Sequence, residues 1–341
     1  RQVLKEVEAF SDKVTPEDLT NRKDLRDLYT TTIDPQDAKD FDDALSMEVL
    51  ENGNHRVGVH IADVSHYVRP GTALDREARK RGNSTYLVGT VIPMLPHPLS
   101  NGLCSLVEDE DRLTKSVFLT YSPAGTIVET PFAATGIRRT KRLTYEQAFA
   151  FLSEDNIQAI TDRPDPPAHQ TGSTGRSLKE LSKKELNHLQ KTIRKFWKIA
   201  SVVRKARHRA GSLEMNMPET KIYVDKNGYA DQIIRVEQDE SHQLIEEFML
   251  AANEAVARSF NKRRIPSIHR VHEEPDPETL DEFSDYLATF DIRAGDLSNR
   301  KNLNAVLRKI QNHPQAHALR IGFLRTLKQA GYRASPDGHF G

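Results

Sequence analysis

Apolar positions recur along this chain at two different intervals. Leu186, Leu189, Ile193, Phe196, Ala200 and Val203 return every three or four residues, which predicts an amphipathic helix over 183–209 that Gly211 ends. Leu244, Ile245, Phe248, Met249, Ala252 and Val256 predict a second long helix over 241–262. Helical patterns continue at 277–290, 301–310 and 314–332, and a less regular one covers 16–27. Shorter β-rich runs come earlier. Residues 44–50 and 56–64 flank the turn Glu51-Asn52-Gly53-Asn54, 116–121 and 126–132 flank Pro123-Ala124-Gly125, and 221–236 folds across Lys226-Asn227-Gly228.

Strands first and helices after is the layout of an α+β domain, not of an alternating doubly wound sheet. Residues 1–23 read as a lead-in segment and 24–341 as one domain. Pro93, Pro96 and Pro98 mark an irregular loop, and the Pro-, Ser- and Gly-rich stretch 155–182 is expected to be a mobile surface loop.

Composition narrows the class. The 341 residues are 37% hydrophobic, ample for a buried core, and the single cysteine, Cys104, excludes an internal disulfide framework. No long apolar run is present, so no membrane span is expected, and a cytoplasmic monomer is. Lysine plus arginine equals aspartate plus glutamate at 49 each, yet the charges are segregated: 183–209 holds ten Lys or Arg against Glu185 alone. Such a polarised chain can hold a metal at one place and a phosphate backbone along another.

The densest chemistry lies in DPQDAKDFDDAL, residues 34–45, where Asp34, Asp37, Asp40, Asp42 and Asp43 crowd together. Carboxylates this close repel, and a divalent ion among them relieves the repulsion. Pro35 and the mutual repulsion disfavour a helix, so a loop entering a strand at Ala44 is expected. The calcium-loop template fails, because a frame starting at Asp40 puts Leu45 where the glycine belongs and Ala44 where an oxygen ligand belongs. A solvated acidic surface is the bland alternative. Against it, Phe41 sits among the acids and Ala44-Leu45 follows at once.

Several long motifs in one order then carry a resemblance: TIDPQDAKDFDDAL, HIADVSHYV, the run from Asn83-Ser84-Thr85-Tyr86 to VIPMLPHPLSNGLCSL, and SHQLIEEFMLAAN. From about Asp24 onward the chain resembles the ribonuclease II and ribonuclease R family of exoribonucleases, closer to the ribonuclease R branch. The resemblance implies a mixed or antiparallel sheet surrounded by helices, with an RNA channel leading to an acidic metal site. It implies processive 3′-to-5′ hydrolysis of single-stranded RNA to nucleoside 5′-monophosphates, with two magnesium ions for which manganese is the substitute.

Asp34, Asp40, Asp42 and Asp43 fall on the family's four acidic positions, Asp42 being the most critical to catalysis, while Asp37 matches none. Tyr86 falls on an aromatic that stacks near the RNA 3′ end, Tyr145 on one that fixes the terminal nucleotide, and Glu246 rather than Glu247 on a glutamate beside it. Without the family, both tyrosines would read as ordinary core or surface residues. His60, His66 and His242 read as satisfied structural histidines, and the His269/His272 pair as a weak zinc signal. Arg138, Arg139, Lys141 and Arg142, just before Tyr145, are expected to face RNA, and the basic helix 183–209 reads either as a wall of its channel or as a solvated face.

The chain also departs from the family. Met215 stands where a base-stacking phenylalanine is common, and a thioether is a softer platform. The family pattern runs beyond Gly338-His339-Phe340-Gly341 into a segment whose arginines hold the scissile phosphate. The competing expectations are therefore an RNA-binding module impaired in cutting and, more remotely, a phosphatase or DNA nuclease using the same acids.

Overall fold

The apolar alternation over 43–62 builds the centre of a mixed sheet. In the computed structural model, which describes residues 1–88, 90–162, 175–213, 219–225, 227–236 and 238–340, β1 (Lys23–Leu25), β2 (Thr30–Asp34), β3 (Asp43–Val49) and β4 (His55–Ala62) are laid down first. A small hairpin follows, β5 (Thr85–Leu87) and β6 (Thr90–Ile92). Next come β7 (Asp111–Tyr121), β8 (Ile127–Glu129), β9 (Phe132–Arg138) and β10 (Lys141–Thr144). The sheet runs β1-β9-β7-β4-β3-β2-β10, with β8 paired to β7. Its two outermost pairs, β1 with β9 and β10 with β2, are parallel, and the pairs between them are antiparallel.

The β3–β4 hairpin closes where the sequence signal put it, at Gly53, whose φ of 78° suits a residue lacking Cβ. In the middle of the sheet a line of buried polar groups crosses four strands. His60 Nε2 lies 2.9 Å from Ser46 Oγ and its Nδ1 2.7 Å from Ser116 Oγ. Ser116 continues to Thr135 at 2.6 Å, and Thr135 to Thr114 at 2.5 Å. Gly58 makes the line possible, since a Cβ there would collide with Ser46 Oγ and His60 Nε2. His60 is therefore structural, as its sequence setting suggested. His66 is structural too, bonded to Asp18 at 3.0 Å, but it lies on the short helix α2 (Val64–Tyr67) and not on a strand.

Residues 1–23 do more than lead in. Their helix is at Gln2–Glu8 (α1), not over 16–27, which forms turns and β1. Val7 is buried with Tyr67, Leu74, Leu99 and Leu103, and Val3, Phe10 and Leu19 pack on that cluster. Glu6 caps α3 (Ala73–Arg81), accepting from the Ala73 and Leu74 N–H groups at 2.8 Å each. The proline-marked segment contains β6 and a π-helical turn at Pro98–Leu103.

After the sheet come α4 (Tyr145–Ser153), α5 (Ile157–Thr161) and α6 (Lys183–Arg209). Stretch 155–182 is thus not uniformly loop: it holds α5 and a 3₁₀ turn at Leu178–Glu180, with Ile160, Leu178 and Leu181 buried. The β11 (Glu219–Val224) and β12 (Ala230–Val236) hairpin and α7 (Glu240–Arg263) match the periodicities. Two compact units result, one of Arg1–Ser201 and Pro218–Ala255, the other of Val202–Met217 and Val256–Gly341. The second has its own core, in which Leu280, Phe283 and Leu287 of α8 (Pro277–Ala288), Leu303 and Leu307 of α9 (Arg300–Gln311), and Leu319 and Phe323 of α10 (Ala316–Thr326) meet. It also pairs β13 (His269–Val271) with β14 (Gly331–Arg333), the latter shortening the helix expected over 314–332. His272 bonds the Lys328 carbonyl at 2.8 Å, and among the described residues no zinc cluster forms around it.

His60 yields a testable consequence. Burial holds its ring down to about 3, below the 6.5 of the free side chain, so the folded protein resists a proton that the unfolded chain accepts. Stability present above pH 6.5 is therefore lost as pH falls from there toward 3, at up to about 1.4 kcal/mol per pH unit. His60→Gln, which cannot titrate, should start lower at pH 7 but show a shallower acid slope in denaturant melts. Parallel slopes would contradict the assignment.

Candidate functional site

The aspartates run from Asp34, the last residue of β2, through the connecting loop to Asp43, the first of β3, and the loop is strapped down. Phe41 has no exposed surface and joins the Ala44, Ala62, Leu106 and Ile137 cluster. Its N–H donates to Ser105 Oγ at 3.0 Å, and its carbonyl accepts from the Leu106 N–H at 2.8 Å. The Asp42 carbonyl accepts from the Ala62 N–H at 2.9 Å. With these anchors inward, the flanking acids are held at the end of the sheet.

Their environments differ. Asp34 is only 8% exposed, and its Oδ2 is buried without a hydrogen-bond partner. Burial pushes its carboxyl up to about 7; the Asp43 charge adds to the rise, while the Thr32 hydroxyl and the charges of Arg139 and Arg142 oppose it. Burial, then the Asp42 charge, raises Asp43 to about 6. Asp42 is exposed as a residue, yet the protein around its carboxyl and the Asp40 charge also raise it. Asp40 accepts from the Tyr86 hydroxyl at 2.5 Å, a bond that with burial pushes that phenol up to about 12. Asp37 forms an ion pair with Lys221 and is occupied elsewhere.

These residues fit a hard divalent cation. Every donor is a carboxylate oxygen, and the partnerless Asp34 Oδ2 beside a repelling neighbour is what such an ion would satisfy. As they stand, no three His, Cys, Asp or Glu side chains among the described residues converge closely enough to cage one.

The parallel pairing of β10 with β2 sets Thr144 beside Asp34. Thr144 caps α4 through a capping box with Gln147, which starts the helix at Tyr145. The Tyr145 phenol is raised by burial and by the charges of Asp34 and Asp43, so it lies within their field. Its ring stacks on His242 at 3.8 Å between centroids and 14° between planes, and His242 Nδ1 is held by Asp239 at 2.8 Å. The sequence did not pair these rings. Glu246, one turn further along α7, is exposed. Glu247 is buried at 1% and so does not belong to a solvated helix face.

The basic patch before Tyr145 is not what the sequence suggested. Arg139 is 0% exposed, and Lys141 and Arg142 are 2% each, so these three offer RNA no surface. Arg138 is exposed, but its Nε donates to Asp111 at 2.7 Å and that pairing neutralises it. On α6 the lysines Lys183, Lys184, Lys191, Lys195, Lys198 and Lys205 are exposed. Met215 lies outside the described residues.

A mixed sheet with a strapped run of aspartates between β2 and β3, Tyr86 bonded to it from a hairpin and a capped helix starting beside Asp34, defines an α+β domain of the ribonuclease R type. The RNB domain model matches residues 22–341, and the chain belongs to that family. Ribonuclease R of Thermotoga maritima is 41% identical over 344 residues, covering 100% of this chain and 45% of that protein, so the chain spans about half the length of such relatives. Mycoplasma genitalium RNase R in complex with ribose methylated single-stranded RNA superposes with a TM-score of 0.85 at 26% identity, over 99% of this chain and 49% of that one. Yeast Ssd1, a pseudonuclease, shares the fold with a TM-score of 0.66 at 20% identity, over 96% of this chain and 38% of that one.

Metal should report itself in stability. Adding magnesium or manganese to chelated protein is expected to raise the thermal midpoint, by about 2.7 kcal/mol of stability at a hundredfold excess over Kd. In chelator, Asp34→Asn should melt at or above wild type, since it removes a buried carboxylate with a partnerless oxygen, and it should gain less from metal. Equal gains in scanning fluorimetry would exclude Asp34 as a ligand.

Proposed function

We propose that this chain carries the catalytic domain of a cytoplasmic 3′-to-5′ exoribonuclease that processively hydrolyses single-stranded RNA to nucleoside 5′-monophosphates. The observation that carries the proposal is the run of Asp34, Asp40, Asp42 and Asp43 across one strapped β2–β3 connection, with Asp34 buried and partnerless at Oδ2, Tyr86 bonded to Asp40 and Tyr145 in the field of Asp34 and Asp43. Similarity to ribonuclease R along the whole chain supports it.

The four aspartates would hold two magnesium ions, with manganese as a substitute. When bound, such ions polarise the phosphoryl oxygen and lower the pKa of the attacking water. The protein's own part is placement. Tyr86, 63% exposed on its hairpin, offers a ring face to a base, and the hydrogen bond to Asp40 fixes the ring relative to the acids. Tyr145, backed by His242, gives the terminal nucleotide a rigid wall, and exposed Glu246 lies one turn from His242. Stacking suits a processive enzyme because every base has a π-face. The exposed lysines of α6 supply a sequence-indifferent track for the phosphate backbone.

Labelled single-stranded RNA incubated with the chain and magnesium should yield nucleoside monophosphates. Asp42→Asn should lower the rate about a hundredfold or more. Tyr86→Ala should weaken binding by about 1–3 kcal/mol in chelator, where no cutting interferes. Retention of RNA without any product would instead make the chain a binding module, and equal cutting of DNA would make it a general nuclease.

A further inference from the structure

The buried arginines lie directly behind the aspartate loop. One nitrogen of Arg142, Nη2, donates to the carbonyls of Pro35 and Gln36 at 3.0 Å each, the two residues that follow Asp34. The guanidiniums of Arg142 and Arg139 lie over the Phe41 ring at 5.2 and 4.6 Å from its centroid, and Phe41 precedes Asp42 and Asp43. Arg139 Nη1 donates to Thr32 Oγ1 at 2.7 Å, two residues before Asp34. The pair therefore grips the loop at both ends.

Packing alone does not account for this arrangement. Glu108 is committed to Lys141 Nζ at 3.0 Å, to the Arg142 N–H at 2.8 Å and to the Arg176 N–H at 3.1 Å. Arg139 Nε and Nη2 and Arg142 Nε stay buried without partners. Unsatisfied donors on buried cations destabilise a fold, and apolar side chains of similar size would cost less.

We propose that Arg142, supported by Arg139 and Phe41, is a positioning residue that fixes the backbone after Asp34 so that Asp34 and Asp43, at the facing ends of β2 and β3, can share one ion completed by water and substrate oxygens. The proposal rests on the metal-dependent reading above. Neither arginine touches substrate; both act through the loop.

The sign of one measurement separates positioning from simple charge. A buried cation behind the site repels a bound metal, so if Arg142 acted only through its charge, removing it would tighten metal binding. If it acts through its two carbonyl bonds, removing it weakens binding. The test is a manganese titration followed by electron paramagnetic resonance on the full chain, comparing wild type, Arg142→Lys and Arg142→Met. Expected is a manganese Kd about tenfold higher for Arg142→Met, the scale of losing a charge-assisted hydrogen bond. Arg142→Lys, which keeps the charge without the planar fork, should fall between. RNA affinity in chelator should be unchanged in both. Manganese binding that is unchanged or tighter in the variants overturns the proposal. Should Arg142→Met fail to fold in chelator, Arg142→Lys decides by the same criterion. Wild-type protein that takes up no manganese removes the metal reading and this proposal with it. Wild type that binds, with variants that bind equally, removes this proposal alone.

Discussion

Electrostatic repulsion among the carboxylates of one short loop is the constraint around which this domain is arranged. Side chains that would separate in water are kept together by backbone anchors at Phe41 and Asp42 and by guanidinium groups beneath. Behind Asp34 the charges of Arg139 and Arg142 oppose its rise. On the outer side Asp34 and Asp43 remain raised above the usual carboxylate range, which is stored demand for positive charge.

Sheet register delivers the remaining parts. Because β2 pairs with β3 on one side and β10 on the other, the acidic loop and the start of α4 emerge at the same rim. Tyr145 therefore needs no long connection to reach the acids. Tyr86 comes from a separate hairpin, and its hydrogen bond to Asp40 ties that hairpin to the loop. Lys221 of β11 does the same through Asp37, giving a purpose to the one aspartate of the run left out of the proposed metal site.

Much of this was readable from residue order. The amphipathic periods located α6 and α7 to within a residue or so, and the turn chemistry at Gly53 and Gly125 located two hairpins, because those signals are local. The acidic loop was legible for the same reason: its charge density is a property of consecutive residues. What stayed hidden depends on distant pairing. Arg139, Lys141 and Arg142 look like surface cations in sequence, and it is long-range pairing, of β10 with β2 and of Arg139 with Glu108, that places them inside. The Tyr145–His242 stack joins residues nearly a hundred positions apart, and no spacing rule reports it. Residues 1–23 seemed peripheral because their few apolar side chains are scattered, yet Val3, Val7, Phe10 and Leu19 find one cluster.

The parallel partnership of the outermost strands also bears on how the protein is made. Arg142 and the Pro35 carbonyl it secures are separated by 107 residues. At translation speeds of roughly 5–20 residues per second, the acidic loop leaves the ribosome about 5–20 s before its counter-charge exists. During that interval the loop gains its Phe41 and Asp42 anchors but lacks the Arg142 bonds to Pro35 and Gln36, so the site is completed only when β10, the last strand of the sheet in chain order, joins it.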